Sequence, residues 1–209
     1  MRITFPSDML QLEGTLTAPS NCKGAAVICH PHPLYGGNMD NNVVLALEQG
    51  LQRGGFATLR FNFRGVDGSE GGYEGGRGET EDVRAAVAAA LQHTGLSLCT
   101  LAGYSFGAMM VVLTGDRIDE VDRLIIVAPP LSFARLDSLA SCAKPKLFLA
   151  GTRDQYCDAG DLEAAVARLP EPRRVEIVAG ADHFLAGHEK LIADAVVAFN
   201  VGGSSETSD

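Results

Sequence analysis

Basic charge is scarce in this chain and nowhere concentrated. Its 209 residues carry 17 Lys and Arg against 26 Asp and Glu, a formal charge of −9, and the densest basic run is the pair Arg173-Arg174. Phosphate backbones are held by clustered cations, so this balance argues against a nucleic-acid partner and an anionic membrane surface. Long apolar runs are missing as well. No stretch approaches the ~18–20 residues that a membrane-spanning helix needs. The opening Met1-Arg2-Ile3-Thr4-Phe5-Pro6 lacks the apolar core of a secretory signal, so the expected location is the cytoplasm. Cys22, Cys29, Cys99, Cys142 and Cys157 are odd in number and have no C-x-x-C spacing, and read as reduced thiols. Cys29 and Cys99 fall inside apolar runs and are expected in the core. Cys157 lies in a polar loop and is a candidate reactive thiol. Nucleotide fingerprints are absent too. No Gly-Lys-Ser/Thr follows the glycine-rich stretch Arg64–Glu79, and no G-x-G-x-x-G opens a helix there.

What remains is an ordinary globular composition, 46% apolar and 21% charged, at a length that suits one domain with one substantial core. That domain is expected to span residues 1–201. The ending Gly202–Asp209 is small and polar and reads as a disordered tail. Two short extended segments, Ile3–Phe5 and Leu10–Leu16, predict an antiparallel lead-in. Then come near-continuous apolar or β-branched runs of the kind found in strands buried on both faces. They are Ala25–Cys29, Ala57–Phe63, Leu98–Gly103, Leu124–Ala128, Lys146–Ala150 and Val175–Val178. Helical spacing fills the gaps: Val44, Leu47, Leu51; Val83, Ala86, Val87, Ala90, Leu91; Leu162, Ala165, Val166, Leu169; and Ile192, Ala195, Val196, Phe199. Strand–helix alternation predicts an α/β fold: a mostly parallel sheet with helices on both faces. The loop Arg64–Glu79 reads as a mobile surface loop or, alternatively, as a rim of the active site.

The most informative segment is Gly103-Tyr104-Ser105-Phe106-Gly107, which follows the apolar run Ser97–Ala102 and opens a helical one, Ala108–Leu113. A serine hydroxyl is a weak nucleophile until a base and oxyanion donors surround it. A tight strand-to-helix turn can present it that way, with small residues two positions to either side letting strand and helix pass closely. In a chain with 24 glycines the pattern alone is weak. The base and acid strengthen it. In doubly wound hydrolases they follow the serine as Asp/Glu and then His, each just past a strand end. Asp154 is the first carboxylate after Lys146–Ala150, while Asp158 and Asp161 read as N-cap or first-turn acids of the next helix. His183 is the first histidine after Val175–Val178. His188 sits near the start of the last helix, and His93 ends an earlier one.

Two backbone donors are expected to form the oxyanion hole. One is Phe106, after the nucleophile; the other comes from the loop His30-Pro31-His32-Pro33-Leu34-Tyr35-Gly36-Gly37. Proline has no N–H, so His32 and Leu34 are the candidates there. The rival reading of His30 and His32 as metal ligands is the weaker one, because the other histidines suit a triad or the surface; no metal or other cofactor is expected. Tyr35, Tyr104 and Phe184 are the candidate substrate-pocket residues.

Together these segments resemble the small, uncapped bacterial α/β-hydrolases with an H-P-H-P-x-x-G-G loop (His30–Gly37). The resemblance extends to L-R-F-N-F-R-G (Leu59–Gly65), G-Y-S-F-G-A (Gly103–Ala108), V-A-P-P (Val127–Pro130), G-x-x-D (Gly151–Asp154) and G-A-D-H-F (Gly180–Phe184), and spans roughly residues 10–200. It implies the α/β-hydrolase fold, about seven or eight strands, with Ser105 as nucleophile, Asp154 as acid and His183 as base. The 17 residues Pro129–Pro145, where many such hydrolases insert a lid, are too few for one. The expected activity is a serine carboxylesterase for small or short-acyl esters, acting through an acyl-enzyme. Thioesters, lactones and peptides suit the same triad, and a non-catalytic binding protein of this fold is the contrasting class. A homodimer partner, or an ordered Arg64–Glu79 loop, is the alternative source of cover for the site.

Overall fold

The computed structural model describes residues 1–133 and 135–201; the tail expected to be disordered, 202–209, lies outside the described residues. Eight strands form one sheet: β1 (Arg2–Ser7), β2 (Leu10–Thr17), β3 (Gly24–Cys29), β4 (Phe56–Phe61), β5 (Cys99–Tyr104), β6 (Val121–Val127), β7 (Lys146–Gly151) and β8 (Arg173–Val178). Their spatial order is β1-β2-β4-β3-β5-β6-β7-β8. β1 pairs antiparallel with β2, and β2 antiparallel with β4; every later pairing is parallel. The predicted lead-in and parallel core are therefore both present. Strand limits differ by a few residues. β4 ends at Phe61; just past it the Asn62 N–H still donates to the Glu13 carbonyl, while its side-chain amide accepts the Met39 N–H and donates to the Glu13 carboxylate.

Central strands are buried on both faces, as continuous apolar runs require: every residue of β5 and β7 is buried. Helices α1 (Asn42–Arg53) and α5 (Glu189–Val201) cover one face, where Val43, Leu47 and Leu51 meet Ile192 and Val196. Helices α2 (Arg77–Thr94), α3 (Phe106–Thr114) and α4 (Ala159–Val166) cover the other. Val83, Val87, Met110, Val111 and Leu162 pack there on Val27, Leu101 and Phe148. Asp158 caps α4 by accepting from the Asp161 N–H at 3.0 Å, the capping role its spacing predicts. Between β6 and β7 the described residues hold one 3-10 turn, Asp137–Leu139, and no lid. Among the described residues no helix is long and apolar enough to cross a membrane.

Two thiol readings part company. Cys29 and Cys99 are fully buried, as expected. Cys157 is buried as well, and the reactive-thiol expectation is corrected: desolvation, reinforced by Asp154, pushes its thiol up to about 12. A thiol held protonated is a poor nucleophile.

Candidate active site

The turn between β5 and α3 carries Ser105 at φ 55° and ψ −116°, a region that non-glycine residues adopt only under constraint. Its flanking glycines permit the constraint. A Cβ on Gly103 would stand 2.3 Å from the Gly107 carbonyl oxygen, and one on Gly107 would stand 2.2 Å from that of Cys29. Any side chain at either position would push α3 off β5 or β3.

Three strand ends converge at this turn. The Ser105 hydroxyl lies 2.9 Å from His183 Nε2, and His183 Nδ1 lies 2.9 Å from each carboxylate oxygen of Asp154. Asp154 follows β7 and His183 follows β8. The Asp154 side chain is fully buried and that of His183 is 7% exposed. Asp154 Oδ1 also accepts the N–H groups of Tyr156 and Cys157, at 2.9 and 3.0 Å. Those donors fix the carboxylate, and the carboxylate fixes the ring: Nδ1 carries the proton toward Asp154, leaving Nε2 as acceptor for the hydroxyl. The Tyr104 hydroxyl donates to the His183 carbonyl at 2.9 Å, and the Tyr156 ring meets the imidazole edge-on at 4.8 Å.

Beside Ser105 the first turn of α3 presents the Phe106 N–H, one of the donors a helix cannot satisfy internally. Among the described residues neither the Phe106 nor the His32 N–H has an acceptor, and both residues line the cleft. Leu34 does not join them. Its N–H donates to His32 Nδ1 at 3.2 Å, capping the 3-10 turn Pro33–Tyr35, and its side chain is 67% exposed. The two donor candidates in this loop are thereby separated, and Leu34 is withdrawn: its N–H is already taken.

His30 is fully buried with both nitrogens engaged. Nδ1 faces the Pro31 carbonyl at 2.6 Å, and Nε2 accepts the Phe63 N–H at 3.0 Å. A ligand nitrogen must be free, so the His30/His32 metal pair has no place here, and among the described residues no group of three or more potential ligands gathers. Burial, which outweighs the Pro31 contact, lowers the His30 pKa to about 4. The unfolded imidazole protonates near 6.5, so the stability held by neutral His30 is complete above pH 6.5 and drains as pH falls toward 4. Between pH 7 and pH 5 about 2 kcal/mol of it should vanish. Urea unfolding at the two pH values checks this: His30→Gln should lose roughly that much less than the wild type, and equal losses would contradict it.

These residues open into a cleft of about 980 Å³ at the carboxyl ends of the parallel strands, the usual ligand position in such sheets. Tyr35, Tyr104 and Phe184 all line it, though Tyr104 is buried while Tyr35 is 86% exposed. The glycine-rich segment supplies rim rather than a free surface loop. Glu79 accepts the N–H groups of Glu74 and Gly76, and the Tyr73 ring stands 4.9 Å from His32 and 5.8 Å from Phe106. Sequence reasoning passed over Tyr73, Phe133 and Tyr156, which complete the aromatic wall, and Met109 and Met110 on α3. Tyr73, as the sole aromatic among the seven glycines of Arg64–Glu79, was the one available signal.

Comparison with known proteins agrees with this geometry. The model of a family described as "Alpha/beta hydrolase domain" matches residues 25–194. An uncharacterized protein of Rickettsia prowazekii, RP471, is 36% identical over 168 residues, 76% of this chain and 71% of that protein. Among solved structures, an alpha-beta serine hydrolase homologue from Coxiella burnetii superposes with a TM-score of 0.87 at 34% identity, covering 95% of this chain and 96% of its own. A serine hydrolase without lid from Xanthomonas campestris gives 0.83 at 25% identity, covering 100% and 96%. With that family model matched over most of its length, the chain belongs to the α/β hydrolases.

Proposed function

We propose that this protein is a serine hydrolase that cleaves carboxylic esters through an acyl-enzyme on Ser105. The observation that carries the reading is the continuous chain Ser105–His183–Asp154, each link 2.9 Å. As Ser105 Oγ attacks the carbonyl carbon, its proton passes to His183 Nε2, and Asp154 stabilises the imidazolium. Negative charge then develops on the carbonyl oxygen, where the Phe106 and His32 N–H groups are its donors. Collapse breaks the ester C–O bond, and His183 returns the proton to the departing alkoxide. Water repeats the sequence on the acyl-enzyme and releases the acid. The serine-hydrolase descriptions of the Coxiella and Xanthomonas proteins support the same chemistry.

Small or short-acyl esters fit best. With no lid, an acyl chain must be buried by the cleft walls alone, at ~0.8 kcal/mol per buried methylene. The expected result is covalent labelling by a fluorophosphonate probe, abolished in Ser105→Ala. Among neutral p-nitrophenyl esters, kcat/KM should peak between about two and six acyl carbons. An unlabelled wild type would point to a non-catalytic binding protein of this fold, and an optimum at ten carbons or longer would defeat the open-site reading.

A further inference from the structure

The cleft continues well past the residues that the ester chemistry uses. Beyond Ser105 it is lined by Met109, Met110 and Leu113 of α3, and three arginines, Arg77, Arg84 and Arg117, line it as well. Helical rise sets the scale: Met109 lies about 6 Å and Leu113 about 12 Å along the axis from Ser105, Arg84 lies about 10 Å along α2 from Arg77, and Arg117 comes three residues after α3 ends at Thr114. An extended chain advances about 3.5 Å per three bonds, so the apolar stretch along α3 accommodates roughly five to ten bonds. The acid among the lining residues is Glu81, 3.9 Å from Arg84. Arg77 and Arg117 have no ion-pair partner among the described residues. In a chain of net charge −9, three arginines against one acid is a local reversal of sign along this part of the cleft.

The direction of a bound ester follows from the catalytic reading. His183 must face the departing oxygen in order to protonate it, so the leaving group lies toward His183, Tyr156 and Phe184. The acyl chain is left to run the other way, across Phe106 and along α3.

We infer that the acyl subsite is built for a chain ending in a carboxylate, with Arg77, Arg84 and Arg117 as its counter-ions. Guanidinium matches carboxylate geometry in a way that a single ammonium does not. A neutral chain that outgrows Leu113 meets solvated cations, whereas an ω-carboxylate of the same length meets its partners. This inference rests on the esterase reading, and the following experiment separates their failures.

Wild-type kcat/KM would be measured on two p-nitrophenyl series matched in length: neutral acyl esters and half-esters of the corresponding dicarboxylic acids, from four to ten carbons. At six to ten carbons the half-ester should be favoured by about fivefold or more, the order expected of a partly exposed ion pair. That preference should fall toward unity in 0.5 M salt and in Arg77→Gln/Arg84→Gln/Arg117→Gln. The ratio of the two series within each protein is the readout, which cancels any general loss of active enzyme in the variant. No hydrolysis of either series would remove the esterase reading itself. Hydrolysis of both with a ratio near one, or a wild-type ratio that the triple variant keeps, would overturn the carboxylate subsite while leaving the esterase intact.

Discussion

Ser105→Ala should lower kcat on a short p-nitrophenyl ester by at least ~10⁴-fold, His183→Ala by a similar factor, and the double variant should be little worse than either. The reason lies in the linkage. The hydroxyl 2.9 Å from His183 Nε2 is a nucleophile only while that nitrogen can take its proton, so removing either partner removes the same step. Asp154→Asn should cost somewhat less, because it leaves the attacking groups in place. Its damage comes through the ring. Asp154 Oδ1 is pinned by two N–H donors, so an amide placed there keeps its oxygen on them and turns its NH₂ toward Nδ1, favouring the imidazole tautomer that cannot accept from Ser105. Steady-state kinetics on purified variants, with fluorophosphonate titration to count competent sites, decides the matter. A Ser105→Ala protein retaining more than a tenth of wild-type turnover would be incompatible with the assignment. Equal loss in Asp158→Asn with none in Asp154→Asn would move the acid, against a structure in which Asp158 is occupied capping α4.

Much of this candidate site was legible in the sequence because each part sits just past the end of a strand that an apolar or β-branched run announces. A run such as Lys146–Ala150 can be read from composition, and the first carboxylate past it then has few rivals. His183 was found by the same rule past Val175–Val178. Distances between elements are not encoded that way. The choice between His32 and Leu34 turned on a side-chain cap, His32 Nδ1 accepting the Leu34 N–H, that no spacing announces. Cys157 looked exposed because its neighbours are polar. It is buried because the chain turns in at Asp154, which gathers the N–H groups of Tyr156 and Cys157. The three arginines that line the cleft are the clearest case. Arg77 and Arg84 belong to α2 and Arg117 follows α3, so a scan for basic runs finds none of them clustered. The glycine-rich segment was ambiguous for a related reason. Its order comes from Glu79, Arg64 and Tyr73 acting across the loop, while its composition alone describes a flexible chain.

That same segment hangs on a buried ion pair, and breaking the pair should have the largest effect on stability of any single change proposed. Arg64 is 3% exposed and Asp82 fully buried. Arg64 Nη2 donates to Asp82 Oδ1 at 2.8 Å, Nε reaches both carboxylate oxygens at 3.1 Å, and the Arg64 backbone N–H donates to Oδ2 at 3.0 Å. Ser7, at the end of β1, adds a fourth donor at 2.7 Å. Asp82 thus ties the lead-in hairpin, the exit of β4 and helix α2 together, and its hydrogen bonds hold the Arg64 guanidinium firmly in its charged form. In Asp82→Ala the cation stays buried with only Glu74 and Asp8, both more than half exposed, to answer it. A buried charge stripped of its partner costs about 3–5 kcal/mol. In a chain of this size, that lowers Tm by on the order of 10 °C. Arg135→Ala, which breaks a pair whose members are 82% and 80% exposed, should change stability by less than about 0.5 kcal/mol. Removing both charges distinguishes an orphaned cation from a simple loss of contacts. Arg64→Met/Asp82→Leu should recover part of what Asp82→Ala loses, because no buried charge is then left unpaired, although the Ser7 hydroxyl and the residue 64 N–H still lack their acceptor. Urea unfolding of the four proteins gives the comparison. An Asp82→Ala protein within 1 kcal/mol of wild type, or a double variant less stable than the single, would show that the pair does not hold this part of the fold.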